Sequence, residues 1–259
     1  MKKIYHLLFC IMLPCLLSAC SPASGISKED SGPCPRRPGE SVPVPENADK
    51  TRARDAVYPD CLFTFYCKCP INAAKEISSC KHYKGKGENP PWVFWTPVFH
   101  SREFRASLGE WRKQYRECRD SREILVECRK KMEERFASIE NDLYNLVPAV
   151  REIAEMRPDF RFGSVAGGKK VRTVCGLKIR GNTAQPPEGI QGDIARIYFY
   201  MERAYPEIRI PEAERGMFQK WDQSDPVDSP ECVRCKHIEK IQGNENSFVK
   251  NACKRAGWW

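Results

Sequence analysis

The chain has 259 residues, 41% of them hydrophobic, which slightly exceeds an ordinary single domain and excludes a chain too polar to bury a core. Lys and Arg number 43 against 34 Asp and Glu, a net charge of +9. Such a balance favours phosphate polymers or an anionic membrane surface as partners and by itself implies no chemistry.

The first element is a leader. Lys2 and Lys3 precede an apolar run from Ile4 to Leu17, and Leu17-Ser18-Ala19-Cys20 closes it, the pattern of a bacterial export signal over residues 1–19. The run is too short to be a comfortable membrane span. Its ending resembles a lipobox, which makes Cys20 the expected lipidated N-terminus and, with Ser21 behind it, predicts outer-membrane anchoring in a host with two membranes. The alternative is an ordinary cleaved signal in which Cys20 is incidental. Without Lys2 and Lys3 the charge is +7. Residues 20–60 are punctuated by Gly32-Pro33, Pro35-Arg36-Arg37-Pro38-Gly39 and Pro43-Val44-Pro45 with no apolar period, which predicts a disordered tether.

A folded domain is expected over 61–259. Cys61–Cys67 and Pro91–Phe99 are aromatic and β-branched runs that read as strands. From Phe104 to Leu146 the pattern turns helical, with Arg112, Lys113, Arg116, Arg119, Arg122, Arg129, Lys130, Lys131 and Arg135 forming the most basic block. Glu and Asp interspersed there favour a solvated helical face. A strand is predicted over Val171–Ile179. Three helices follow: one with Ile190, Ile194, Ile197, Tyr198 and Met201 on a face, one after Pro211 carrying Met217, Phe218 and Trp221, and one with Ser229 as N-cap, Pro230 at its first position and Gly243 at its end. Mixed strands and segregated helices define an α+β class.

Of 14 cysteines, Cys10 and Cys15 fall in the leader and Cys20 would carry lipid. Eleven are left: Cys34, Cys61, Cys67, Cys69, Cys80, Cys118, Cys128, Cys175, Cys232, Cys235 and Cys253. In an oxidising compartment this density predicts disulfides, with at least one thiol free or paired to another chain. Structural zinc is disfavoured because Cys67-x-Cys69 and Cys232-x2-Cys235 lack a partner pair at zinc-finger spacing. His82 and His237 read as solvated side chains. Trp258 and Trp259 read as a tail packed on the domain, with stacking on bases or a partner as the alternative.

Five ordered blocks resemble bacterial endonuclease I: Thr64–Cys69 (TFYCKC) with Cys80, Asp142–Ala149 (DLYNLVPA), Gln185–Glu188 with Gly192–Met201 (GDIARIYFYM), Asp225–Asp228 (DPVD), and Glu231-Cys232 with Gln242–Val249 (QGNENSFV) and Cys253. The resemblance implies a disulfide-stabilised His-Me finger, or ββα-metal, domain that cuts DNA or RNA phosphodiester bonds, a His acting as general base and Mg2+ polarising the phosphate. It also implies two bridges among Cys67, Cys69, Cys80 and Cys175, and bridges Cys118 to Cys128 and Cys232 to Cys253. Cys34, Cys61 and Cys235 are additions to the pattern.

The resemblance fails where the chemistry belongs. The family's EWEHVVPA falls on Phe94–Ser101, which puts Thr96 at the metal-binding Glu and Pro97 at the base. Its VNGDRSNF falls on Ile153–Phe160, which puts Ala154 at the ligand Asn and keeps Arg157 and Phe160. Tyr144 stands for a His and Gln191 for an Arg. A shifted site would need His100 as base with Glu152 or Glu155 as metal ligand, but a three-residue shift along a strand reverses the side-chain face. No cofactor is therefore expected, and Mg2+ only if the protein is active. Lys169, Lys170, Arg157 and Arg196 are the expected nucleic-acid contacts. Three functions stay open: a nucleic-acid- or partner-binding pseudonuclease, a divergent metal-dependent nuclease, and a structural envelope lipoprotein with a protein partner.

Overall fold

A computed structural model describes residues 57, 62–72, 76–77, 80, 93–100, 103, 130, 134–168, 170–206 and 208–259. Cys20, Cys34, Cys61, His82, Cys118, Cys128, Lys169 and the basic block from Arg112 to Arg129 lie outside them. The first expected strand is broken: Leu62–Phe63 (β1) pairs antiparallel with Pro70–Ile71 (β2), and a turn at residues 65–67 followed by Lys68 at φ 51° separates them. Thr64 Oγ1 accepts from Cys69 N across this turn, so the aromatic run folds back on itself before it can extend. One residue before position 61 is described. Val57 is helical and 2% exposed, and its carbonyl lies 3.3 Å from His237 Nδ1, which makes His237 a buried residue rather than a solvated one.

Val93–Pro97 (β3) pairs antiparallel with Leu146–Val150 (β4) along its whole length, from Val93 opposite Val150 to Pro97 opposite Leu146. Pro97 falls in a pair whose backbone groups face away from β4, so its missing N–H leaves the ladder intact, and Val98 N still donates to Asn145 O at 2.8 Å. Beyond it the buried Asn145 side chain continues the pairing: Phe99 N donates to its Oδ1 at 2.7 Å and its Nδ2 donates to Phe99 O at 2.9 Å. Helix Arg151–Met156 (α1) follows β4 directly and packs on both strands. Residues 134–140 are helical as expected.

The expected strand at 171–179 is a hairpin. Arg172–Val174 (β6) and Leu177–Arg180 (β7) are joined by Cys175 at φ 51° and Gly176 at φ 81°, the two positive values that a tight two-residue connection requires. With Arg161–Phe162 (β5) and Thr183–Gln185 (β8) they form a four-stranded sheet in the order β5-β8-β7-β6, β5 parallel to β8. Phe162, Leu177 and Ala184 on one face are 3% exposed or less. The register places Lys178, Arg180 and Thr183 on the other.

The late helices follow the sequence pattern. Gln191–Ala204 (α2) buries Ile194, Ile197, Tyr198 and Met201; Glu212–Ser224 (α3) buries Phe218 and Trp221. In Ser229–Gln242 (α4) the N-cap is Asp228, accepting from Glu231 N at 2.7 Å, so the cap lies one residue before Ser229 and Pro230 sits in the first turn. Asp accepts a helix N–H as well as Ser does. Gly243, at φ 80°, ends α4. Ser247–Arg255 (α5) is an addition, capped by Asn246. Disulfides join Cys67 to Cys175, Cys69 to Cys80 and Cys232 to Cys253. Among the described residues Cys235 is a buried free thiol.

Candidate active site

The hairpin of β3 and β4 with α1 laid across it is a ββα finger, and it gathers the positions at issue. Thr96 and Pro97 end β3, and Ala154 lies on α1, a helix in contact with β3. Thr96 is 3% exposed; Pro97 and Ala154 are half-buried. The pyrrolidine ring of Pro97 and the methyl of Ala154 carry no lone pair, so neither takes up a proton nor ligates a cation. Of the three positions only Thr96 carries a side-chain oxygen, a buried neutral hydroxyl, and without the carboxylates through which Mg2+ is usually held the set does not fit that ion.

The residues of a shifted site each have a partner outside it. Glu152 forms an ion pair with Arg172 of β6, and Glu155 accepts from Arg151 Nε at 2.8 Å. The Arg151 guanidinium also lies over the Phe94 ring at 5.6 Å. His100 Nε2 lies 3.9 Å from Glu140 Oε1. Among the described residues no three His, Cys, Asp or Glu side chains form a group able to hold a metal ion.

Two further positions of the family pattern serve packing. Tyr144 donates its hydroxyl to Asn244 O at 3.0 Å and packs its ring 4.5 Å from that of Tyr200. Gln191 is 7% exposed and donates to Pro186 O at 2.9 Å, so its amide closes its own loop. Asp142 accepts from Tyr200 and Tyr205 hydroxyls, both at 2.7 Å, and from Tyr144 N at 2.9 Å. The motif around Asp142 and Asn145 is thus a structural junction between the finger and the helices.

Arg157 and Arg196, expected to face nucleic acid, are interior. Arg157 is 0% exposed; it donates to Glu103 Oε1 at 2.6 Å, to Phe160 O at 2.7 Å and to Val98 O, and it stacks over the Phe162 ring at 4.4 Å. Those bonds tie the end of α1 to the end of β3. Burial opposes its charge, but Glu103, Tyr198 and Tyr66 more than offset this and hold its pKa above the usual value. Arg196, 2% exposed, forks onto both Glu231 oxygens at 2.8 and 2.7 Å and also reaches Asp222 and Asp193. A guanidinium whose donors are taken up by three carboxylates and the Asp225 carbonyl has none left for phosphate. The signal for this was in the sequence: Asp193, Asp225, Asp228 and Glu231 surround Arg196 in the motifs themselves. Lys170 is exposed.

An α+β domain with a ββα finger and a disulfide framework is the architecture of His-Me finger nucleases. A model of the family described as Endonuclease I matches residues 47–253, and the chain belongs to that family. It is similar to an extracellular deoxyribonuclease of Aeromonas hydrophila, 31% identical over 82% of this chain and 94% of that protein. It is also similar to a periplasmic deoxyribonuclease of the same organism, 32% identical over 74% of this chain and 79% of that protein. An Endonuclease-1 of Buchnera aphidicola subsp. Acyrthosiphon pisum is 34% identical over 73% of this chain and 74% of its own length.

Proposed function

We propose that this chain is an exported member of the Endonuclease I family that binds nucleic acid without cutting it. The observation that carries the reading is a complete ββα finger whose reacting positions are Thr96, Pro97 and Ala154, with the nearby carboxylates Glu152 and Glu155 paired to Arg172 and Arg151. Loss of a general base costs about a hundredfold or more, and loss of the metal ligands removes the main electrostatic stabilisation of the transition state as well. Affinity for phosphate needs neither, only exposed cations. Export is supported by the leader at residues 1–19 and by relatives named as extracellular and periplasmic enzymes. Lipidation at Cys20 follows from Leu17-Ser18-Ala19-Cys20 alone, and Cys20→Ser is expected to turn a membrane-bound protein into a soluble periplasmic one; unchanged detergent partitioning would refute the anchor.

The deciding assay is plasmid nicking by the purified mature protein with Mg2+, Mn2+ or EDTA. No cleavage above background is expected. EDTA-sensitive cleavage abolished by His100→Ala would overturn the reading in favour of a divergent nuclease. Absence of any duplex binding at low salt would instead favour a protein or envelope partner.

A further inference from the structure

The 28 residues from Phe160 to Pro187 hold six Lys and Arg and no Asp or Glu. In a chain with 34 acidic residues, so long a stretch without one leaves its cations unneutralised by sequence neighbours. The stretch folds into the four-stranded sheet, and the register sorts its side chains. Arg172 lies opposite Ile179, while Thr173 lies opposite Lys178, Lys178 opposite Gln185, and Arg180 opposite Thr183. Apart from Arg172 on the edge strand, which is paired with Glu152, one face is therefore apolar and packed inward, and the other presents Thr173, Lys178, Arg180, Thr183 and Gln185. Thr173, Lys178 and Arg180 are exposed. Arg161 at the far edge is engaged with Glu214 at 3.4 Å. Arg180 touches only the carbonyl of Ala166, at 3.5 Å, and among the described residues neither Lys178 nor Arg180 forms an ion pair.

From this geometry we infer that the outer face of the β6–β7 hairpin is a binding surface for the sugar-phosphate backbone of a nucleic-acid duplex, with Lys178 and Arg180 as its phosphate contacts and Lys170 beside it. This rests on the nucleic-acid reading above and replaces Arg157 and Arg196 as the contacts. Lys178 and Arg180 are alternate residues of one strand, so their Cα atoms are roughly 6.8 Å apart on the same side, a rigid spacing that loop lysines lack. The five side chains of the face are hydroxyl, amide or cationic. A membrane surface would call for apolar side chains to insert, and single strands for exposed rings to stack on; this face offers neither. Thr and Gln suit phosphate and sugar oxygens, and such contacts carry no base code.

The test compares Lys178→Gln/Arg180→Gln with Lys220→Gln/Lys240→Gln, which removes the same charge from exposed positions on α3 and α4. A labelled duplex of arbitrary sequence is titrated from about 0.05 to 0.2 M NaCl, with melting temperature as the folding control. The sheet variant should bind at least tenfold more weakly at the lowest salt, with the slope of log K against log salt reduced by about 1.8, two phosphates' worth. The control should keep the wild-type slope. Wild-type binding that both variants weaken equally would overturn the surface and leave the functional reading intact; no wild-type binding would end both. Loss of binding to vesicles of phosphatidylglycerol and phosphatidylcholine, with duplex binding kept, would identify the face as a membrane contact and overturn the inference too.

Discussion

Two buried arginines organise two regions of the molecule in the same way, yet the regions differ in what surrounds them. Around Arg196, the carboxylates Asp193, Asp222 and Glu231 come from α2, α3 and α4, and Asp225 reaches back to Gly192 N at 2.8 Å. A Cβ on Gly192 would fall 1.9 Å from the Asp225 carbonyl oxygen, so the helices meet at a distance only glycine permits. Around Arg157 the finger is fastened just as firmly, by Glu103, Val98 and Phe160. But directly before Val98, Thr96 and Pro97 stand where the family pattern has its metal-binding Glu and its base. The difference teaches that the polar groups holding this fold are not those at the family's reacting positions, so the finger can be fastened without them.

The largest effect is expected in the hub. Arg196→Met leaves Glu231 buried without its partner and should cost about 3–5 kcal/mol of stability, read by urea unfolding; a loss below about 1 kcal/mol would mean the helices are held by apolar packing alone. Next, removing the Cys232–Cys253 bridge by paired Ala substitutions should cost about 3 kcal/mol, because the loop it closes gains freedom when unfolded. Intact folding without either bridge or hub would end the comparison.

A gain of function sharpens it from the other side. If the finger's backbone still has working geometry, Thr96→Glu/Pro97→His/Ala154→Asn should nick plasmid in Mg2+ about a hundredfold above the parent protein, some 2.7 kcal/mol of barrier. A well-folded triple variant with no activity would show that the strand itself has moved away from a catalytic shape.

The smallest effect concerns Cys235, whose thiol is pushed up to about 12, first by burial. Its ordinary value is near 9. A raised pKa contributes stability that is complete below the unfolded value and is lost as pH rises through the folded one. Stability should therefore decline between about pH 9 and 12, and Cys235→Ser should flatten that decline. Native protein at pH 8 should resist thiol reagents there until denatured; immediate labelling would show that α4 is open to solvent.

Much of this was legible in the sequence. The apolar faces of α2 and α3 and the stop at Gly243 came from helical period and glycine chemistry, and they are where packing agrees with local propensity. The hairpins were not. Cys61–Cys67 and Val171–Ile179 have strand composition almost throughout, and the chain turns back at positive φ, at Lys68 in the first and at Cys175 and Gly176 in the second; of these residue types only glycine advertises that backbone state. Arg157 and Arg196 misled for another reason: charge is visible in a sequence and burial is not. The acid-free run from Phe160 to Pro187 was equally visible, but only the strand register showed which of its cations share a face.

The bridge from Cys67 to Cys175 spans 108 residues, and the whole finger lies inside the covalent ring it closes. Peptide-bond cleavage between β3 and β4 would open that ring without separating its ends. The two pieces would travel as one molecule on a denaturing gel until a reductant was added, so a nicked form of this protein is invisible to mass alone. The same ring lets the finger's strands be cut apart in sequence while both stay tied to the sheet, which makes limited proteolysis followed by refolding a direct measure of whether β3 and β4 find each other without a connecting chain.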